Sequence, residues 1–216
     1  NLFFGLILAT NLGVFNYEIE KPVSSAANSV ATLPLTGEIS VDDAFACLNQ
    51  TPGPLITLTG SDSDPSGMPY TFKYTINDNP EQNEIEGNPS GSIIVPTSQD
   101  GVFTYTLISI TDNTGVEGEI IGNPEITITI NSLPEVSIDV LSGNGACSGT
   151  PVVFSATVSG EGPFTYAWSF GDGATSTNPN PTHTYLELGC GAITRTASLT
   201  VTDGNECSST ATQVVS

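Results

Sequence analysis

Groups able to carry out catalysis are scarce in this sequence. His183 is its only histidine, so at most one Ser-His-Asp arrangement can form, and no serine lies in the Gly-x-Ser-x-Gly turn that exposes a nucleophile. General-base catalysis requires a base held beside a nucleophile, and glycoside cleavage requires paired carboxylates in a cleft; exposed turns supply neither. We therefore expect a protein that is not an enzyme.

Most acidic residues fall in turns between apolar segments, where carboxylates and free carbonyls could bind calcium. Calcium takes six to eight oxygen ligands, but no stretch matches the EF-hand loop or a nine-residue calcium repeat. The simpler interpretation is a solvated acidic surface that keeps a long molecule soluble. The candidate Ca2+ ligands are Asp62, Asp64, Asp78, Asp172 and Asp203, and no other cofactor is predicted.

The four cysteines, Cys47, Cys147, Cys190 and Cys207, are far apart in sequence. Their spacing contains no Cys-x-x-Cys pair, which argues against a zinc site. An even number of cysteines favours disulfides and an oxidising compartment outside the cell, although four free thiols in a cytosolic protein would also fit the count. The sequence thus favours an extracellular location.

The charge balance limits the partners of the chain. Twenty-three acidic residues against three basic ones give a net charge of −20. A surface with almost no cations cannot neutralise phosphates, so we expect no nucleic-acid binding. Polybasic contact with a membrane is excluded for the same reason, and no insertion into a membrane is expected.

Hydrophobic periodicity predicts an all-β protein made of half-buried antiparallel strands. Apolar and polar residues alternate along 125–130, 135–140 and 196–201, and turn formers such as 178–181 separate the strands. Along 164–170 the aromatic side chains share one face, so we expect Tyr166, Trp168 and Phe170 to fill a core, with Trp168 as its anchor. The same aromatic row could instead stack on sugars, which we consider the weaker interpretation.

Internal similarity divides the chain into repeats. Gly13–Ile19 resembles Gly101–Leu107, and Pro69–Asp78 resembles Pro163–Asp172. We expect the last strands of a preceding Ig-like repeat over 1–36, an Ig-like β-sandwich over 37–133 and a second sandwich over 134–216. The short joint at 131–134 predicts a semi-rigid rod of domains placed end to end.

The second sandwich resembles the PKD domain. The resemblance is carried by Tyr166–Gly173 (YAWSFGDG), Asn180–Tyr185 (NPTHTY) and Leu199–Asp203 (LTVTD). It implies an Ig-like sandwich, found outside the cell as a spacer or adhesive unit or as an accessory module of secreted hydrolases. It also implies that His183 is a structural residue at a strand edge. Ser169 stands where PKD domains more often have Asp.

Residues 37–133 are similar to the Ig-like repeats of giant surface proteins that Bacteroidota export by type IX secretion, including gliding-motility adhesins. The similar stretches are Ala46–Gln50, Ile56–Gly60, Tyr70–Ile76 and Gly101–Asp112. Those repeats commonly carry a second cysteine in the last hairpin, which 112–118 lacks. The resemblance implies a stalk or filament used in surface adhesion or gliding motility, on the bacterial cell surface.

Under this resemblance the cysteines can be paired by their places in an Ig-like unit. The A–B and E–F turns lie at the exit end of such a unit, and the F–G turn lies at its entry end. Cys147 and Cys190 then belong to one end of the second sandwich, whereas Cys207 faces the preceding domain. Because a disulfide needs Cα atoms about 5.5 Å apart, we expect Cys147 to pair with Cys190 and Cys207 with Cys47.

Two further possibilities for the whole protein stay open at this point. One is an ancillary spacer or carbohydrate-binding region of a secreted polysaccharidase or protease, which predicts a catalytic domain elsewhere in the parent chain. The other is a calcium-dependent adhesive rod. The expected partners are neighbouring repeats of the same chain, an extracellular polysaccharide or other surface ligand, and secretion or motility machinery.

Overall fold

In the part of the chain that the structure describes, strands and one short turn of 3-10 helix make up the regular structure. The computed structural model describes residues 33–63, 65–145, 148–186 and 194–216. The preceding repeat expected over 1–36 falls almost entirely outside these residues, as do Asp64, Cys147 and Cys190. Within the described part no helix is long and apolar enough to cross a membrane. The prediction of an all-β fold with tandem Ig-like sandwiches is confirmed.

The first sandwich is built from nine strands in two sheets. Its 3-10 turn covers Pro65–Gly67. One sheet has the order β6-β3-β1-β8 and the other the order β2-β9-β7-β4-β5. The strands are β1 (Thr36–Val41), β2 (Phe45–Cys47), β3 (Leu55–Ser61), β4 (Tyr70–Ile76), β5 (Asn83–Gly87), β6 (Ser90–Ile94), β7 (Gly101–Thr111), β8 (Glu119–Ile120) and β9 (Glu125–Asn131).

The second sandwich has seven strands among the described residues. Its sheets have the orders β10-β11-β14 and β13-β12-β15-β16, and both are antiparallel. The strands are β10 (Glu135–Ser142), β11 (Pro151–Ser159), β12 (Thr165–Ser169), β13 (Thr175–Ser176), β14 (Thr182–Thr184), β15 (Arg195–Thr202) and β16 (Ser208–Val215).

Each sandwich encloses its own hydrophobic core. The first core contains Ile56, Leu58, Phe72, Ile110 and Ile128, all completely buried. A second, separate cluster fills the other sandwich. Two independent cores along one chain are what tandem domains require, because each pair of sheets must cover its own apolar faces.

The alternation predicted for the second sandwich sets the register of its sheet. Ala197, Leu199 and Val201 are completely buried on β15, while Ser198 and Thr200 between them face outward. Trp168 and Phe170 are each 2% exposed and pack around the buried Phe154, and Tyr166 is half-buried at the border of the same core. Trp168 and Phe170 therefore lie inside the sandwich, where they are not available to stack on a sugar.

Candidate functional site: the joint between the two sandwiches

A disulfide bond between Cys47 and Cys207 connects the two sandwiches. The two Cα atoms are 5.6 Å apart, and the cysteines are 160 residues apart in sequence. This is the interdomain pairing that the resemblance led us to expect. The chain from Thr32 to Ser216 forms one compact unit, and the disulfide is a covalent link within it in addition to the peptide backbone.

Strand pairing places Cys47 at the end of the first sandwich. β2 runs parallel to β9, and Cys47 lies opposite Asn131, the last residue of β9. The Leu48 N–H donates to the Asn131 carbonyl at 2.8 Å. A tight turn follows, in which the Gln50 side-chain oxygen accepts from the Cys47 N–H and the Gln50 N–H donates to the Cys47 carbonyl, both at 3.0 Å. The cysteine is thus held at the edge from which the chain leaves the domain.

A buried carboxylate positions Cys207 in the turn between β15 and β16. Asp203 is 7% exposed, and its Oδ1 accepts hydrogen bonds from the N–H groups of Asn205 and Cys207, both at 2.9 Å. The Asp203 N–H donates to the Cys207 carbonyl at 2.9 Å. Glu206 takes the left-handed backbone conformation (φ 64°) that the turn requires. These bonds fix the direction in which the Cys207 side chain leaves the turn.

The peptide linker and the disulfide give the two sandwiches two points of attachment. The linker is the three residues between Asn131 and Glu135, of which Pro134 is buried and lies against Gly160. Two bodies joined at one flexible point can bend in any direction, whereas a second covalent attachment removes part of that freedom. The arrangement of the joint therefore restricts bending of this segment.

The cleft beside the disulfide is small and polar. It has a volume of about 220 Å³ and is lined by residues of both sandwiches, among them Asp43, Gln50, Asn131, Asn205 and Glu206. Several of these oxygens already have partners, since Asp43 caps the Phe45 N–H and Gln50 caps the Cys47 N–H. These residues are the contact between the two sandwiches, and the cleft between them is not a deep site for a substrate.

The structure scatters the carboxylates predicted as calcium ligands. Asp203 is taken up by its own turn, Asp172 by a histidine, and Asp78 lies in the turn after β4 with a left-handed backbone (φ 54°). Asp62 precedes the 3-10 turn, and Asp64 is outside the described residues. Among the residues that the structure describes, no three His, Cys, Asp or Glu side chains converge as a metal site would require. Calcium binding therefore gains no geometric support from these residues.

His183 contributes to the core of the second sandwich. It lies on β14, which pairs with β11 at the edge of a three-stranded sheet. Its ring stacks on Phe170 with centroids 4.3 Å apart and meets the edge of Tyr185 at 4.5 Å. Its Nε2 lies 2.7 Å from Asp172 Oδ2. The histidine thus occupies the strand edge that the PKD resemblance implies, and it connects the core to the turn after β12.

Hydrogen bonds hold Asp172 in its charged form. Partial burial would raise the pKa of this carboxyl, but the bonds from His183 and from the Ala174 N–H outweigh it and leave the pKa below its usual range. Tyr185 donates its hydroxyl to the Phe170 carbonyl at 3.1 Å. Burial, reinforced by the Asp172 charge, raises the Tyr185 pKa to about 12. The role of this cluster is structural, because its polar groups hydrogen-bond to one another and to the backbone of the adjoining turn and strand.

The first sandwich contains the same turn without the cysteine. After β7, Asp112 Oδ1 accepts from the N–H groups of Thr114 and Val116, both at 2.8 Å, which are two and four residues further on, as in the Asp203 turn. Val116 therefore occupies the place of Cys207. Sequence reasoning assigned Asp203 to calcium and missed this role, although an Asp two residues before Asn205 in a turn is the pattern of an Asx turn.

The joint and the fold together define the class of this protein. It is a tandem array of Ig-like sandwiches with the organisation of a structural repeat segment. The family model for the PKD domain matches residues 133–216. The chain therefore belongs to the PKD domain family through its second sandwich.

Three solved structures are similar to this chain over part of its length. The PKD1 domain of the Vibrio cholerae metalloprotease PrtV is 30% identical over 38% of this chain and 94% of its own, with a TM-score of 0.33. The PKD1 domain of Vibrio anguillarum Epp is 29% identical over 39% of this chain and 93% of its own, also with 0.33. A structure from a 1.5-MDa bacterial ice-binding adhesin is 15% identical over 85% of this chain and 64% of its own, with 0.37. No curated protein sequence matches the chain.

Proposed function

We propose that this chain is a load-bearing segment of a large secreted protein of the bacterial cell surface, one that forms a stalk or filament used in adhesion or gliding motility. The observation that supports it is the covalent joint: Cys47 and Cys207 link consecutive sandwiches across 160 residues of sequence. A spacer in an enzyme needs only to tether the catalytic domain, for which the peptide backbone is enough. A disulfide between consecutive modules adds resistance to extension, which is useful in a segment under tension.

The position of the disulfide determines the path that tension takes. A pull on the two ends of the described chain runs through β1 and β2 to Cys47, crosses to Cys207 and leaves through β16. The strands from β3 to β15 lie inside the disulfide loop and carry no net tension as long as the bond is intact. The greater part of both hydrophobic cores is contributed by this loop. The joint therefore protects both folds by one bond.

The composition supports a location outside the cell. Disulfides persist in oxidising surroundings. Cys207, one of the two cysteines of the disulfide, is completely buried in the joint. A net charge of −20 keeps neighbouring filaments soluble. Type IX secretion, the Bacteroidota origin, and the surface ligand or motility machinery that the filament would engage all belong to this proposal.

The test is to locate and alter the segment in the cells that produce it. Antibodies against residues 33–216 should label intact cells without permeabilisation, and substituting Cys47 and Cys207 by serine in the parent gene should reduce attachment under flow more than attachment at rest. A control variant, Ser40→Ala on an exposed strand position, should leave both unchanged. Labelling that appears only after lysis, or attachment that is unaffected under flow, would contradict the proposal.

The alternative of a spacer in a secreted hydrolase makes a different prediction about the parent chain. One relative in the comparison is a domain of a metalloprotease. If this segment were such a spacer, mass spectrometry of the intact secreted parent should identify a catalytic domain on the same polypeptide. Further repeats on both sides of the segment are the result that the filament proposal requires.

A further inference from the structure

One sheet of the second sandwich has an outer face with no charged side chain, in a chain of net charge −20. On β12, β15 and β16 the residues that alternate with the buried ones are small and mostly carry hydroxyl groups. We refer to them as the hydroxyl face. They are Thr165, Ala167, Ser169, Thr196, Ser198, Thr200, Thr202, Ser208, Thr210, Thr212 and Val214.

Strand register aligns these residues in rows across the sheet. Ala167, Thr200 and Thr210 form one row, and the neighbouring rows pair serine and threonine in the same way. Thr200 and Thr210 join their hydroxyls at 2.8 Å, as do Thr202 and Ser208. The hydroxyl face is thus an ordered lattice, with strands about 4.8 Å apart and successive outward residues about 6.7 Å apart.

The other three sheets differ in charge. Each has an acidic side chain on an exposed strand position, as Glu38 on β1, Glu84 on β5 and Asp139 on β10 show. Arg195 belongs to the inward row of β15, since it pairs with the buried Val215. Among the strands that the structure describes, the acidic residues therefore avoid one face only.

We propose that the hydroxyl face is a homotypic contact, through which two copies of this segment associate side by side. A hydroxyl group both donates and accepts hydrogen bonds, so a hydroxyl lattice is complementary to its own copy. Carboxylates accept only, and the chain has three basic residues to set against twenty-three acidic ones. Like-charged copies consequently cannot form ion pairs between their acidic faces, and the uncharged face is where two copies can approach with the least repulsion.

The face is small for a contact between proteins. Three strands of five to eight residues cover roughly 400 Å² per copy, about half of what a stable dimer buries on each partner. We therefore expect the isolated segment to associate only weakly, with a Kd of about a millimolar. Filaments that carried several such faces would bind each other more tightly than single segments, because the weak contacts act together. Each contact could still open and close separately, so the lateral bundling would be reversible.

The test measures self-association residue by residue. Two-dimensional amide NMR spectra of the chain are recorded from about 0.05 to 1 mM in the presence of EDTA, which removes bridging by divalent cations. The expected result is a concentration-dependent shift of amides in 196–202 and 208–214, which grows with added NaCl because salt screens repulsion between the acidic remainders. Shifts confined to other strands, or weakened by salt, would overturn the proposal.

Charge variants separate a contact from a folding defect. Ala167→Glu with Thr212→Glu puts two charges at exposed positions of the face, and we expect the concentration-dependent shifts to disappear. The pair Ala167→Lys with Thr212→Lys should also lose self-association. A mixture of the Glu and Lys variants should recover it with at least a tenfold lower Kd than wild type. The recovered shifts should again fall in 196–202 and 208–214, which distinguishes this face from contact of the new lysines with acidic surfaces elsewhere. No recovery in the mixture would overturn the proposal.

A matched control and a competing ligand complete the design. Thr157→Glu with Thr182→Glu adds the same charge to the opposite sheet of the same sandwich, at exposed positions, and should retain the shifts of wild type. A loss of the shifts in this variant would contradict the assignment to one face. If 5 mM of a neutral oligosaccharide such as hexa-N-acetylchitohexaose shifted the same amides while protein concentration did not, the face would bind glycans and the homotypic contact would be rejected.

Discussion

Breaking the bond between Cys47 and Cys207 should release a large, defined length of chain when the protein is pulled from its ends. With the disulfide intact, everything between the two cysteines is outside the path of the force. Of the described residues, only those before Cys47 and those after Cys207 can then be drawn out. In the double variant Cys47→Ser, Cys207→Ser the whole segment becomes extensible.

The released length follows from the sequence separation. The sequence separation of 160 residues contributes about 3.5 Å per residue when extended, which gives about 560 Å. The predicted second disulfide would lower this value. Cys190 is 43 residues after Cys147, so a bond between them would withhold about 150 Å of the same chain. The double variant should therefore release about 410 Å under oxidising conditions and about 560 Å after reduction.

Single-molecule force spectroscopy measures these lengths directly. The segment is placed between two well-characterised marker domains, and the contour-length increments are compared for the oxidised wild type, the reduced wild type and the double variant. A variant with Cys47 and Cys207 intact but Phe154→Ala controls for weakened folding, because its second core is destabilised while the length of the disulfide loop should still not be released. An oxidised wild type that released 400 Å or more would refute the reasoning about the force path.

Three further predictions concern the turns and the core. Asp203→Ala should lower the free energy of unfolding by about 1–3 kcal/mol, because it leaves the Asn205 and Cys207 N–H groups without their acceptor. Asp203→Asn keeps a side-chain oxygen and should cost less. Equal losses for the two variants in chemical denaturation would contradict the role of Asp203 as the acceptor in this turn. The folded-state pKa of Asp172 is lowered, so its stabilising effect is complete above its unfolded pKa of about 3.9 and is lost as pH falls through the folded pKa. The difference in melting temperature between wild type and Asp172→Asn should therefore shrink towards zero as the pH falls below the folded pKa. A difference independent of pH would speak against the His183 bond. Phe154→Ala should cost about 3–5 kcal/mol, because the side chain is completely buried between Trp168 and Phe170; a loss below 1 kcal/mol in thermal unfolding would mean that this core is not close-packed.

The local pattern of the sequence was sufficient to predict the strands. Alternation along 196–201 placed Ala197, Leu199 and Val201 inside, and the structure buries all three. A strand repeats its side-chain direction every two residues, so this information is contained within a few neighbouring positions. The PKD motif added the class of sandwich, and the order of the strands in that class was enough to pair Cys47 with Cys207.

The roles of single polar residues could not be predicted in the same way. Asp203 and Asp172 both looked like acidic turn residues available to a cation, yet one caps the turn that holds Cys207 and the other binds His183. Which of these roles a carboxylate takes depends on how the backbone of its turn folds and on what the opposite sheet brings near it. Neither is encoded in the spacing of charges along the chain.

Sequence alone therefore determined that this protein is a string of β-sandwiches, acidic and suited to disulfides, because composition and period-two alternation are local properties. Tertiary structure decided which cysteines meet at the joint and which residues share the hydroxyl face. The joint forms because the end of β2 and the turn before β16 meet in space, and the hydroxyl face forms because β12, β15 and β16 align in register. Both depend on contacts between residues far apart in the chain, which the folded backbone alone brings together.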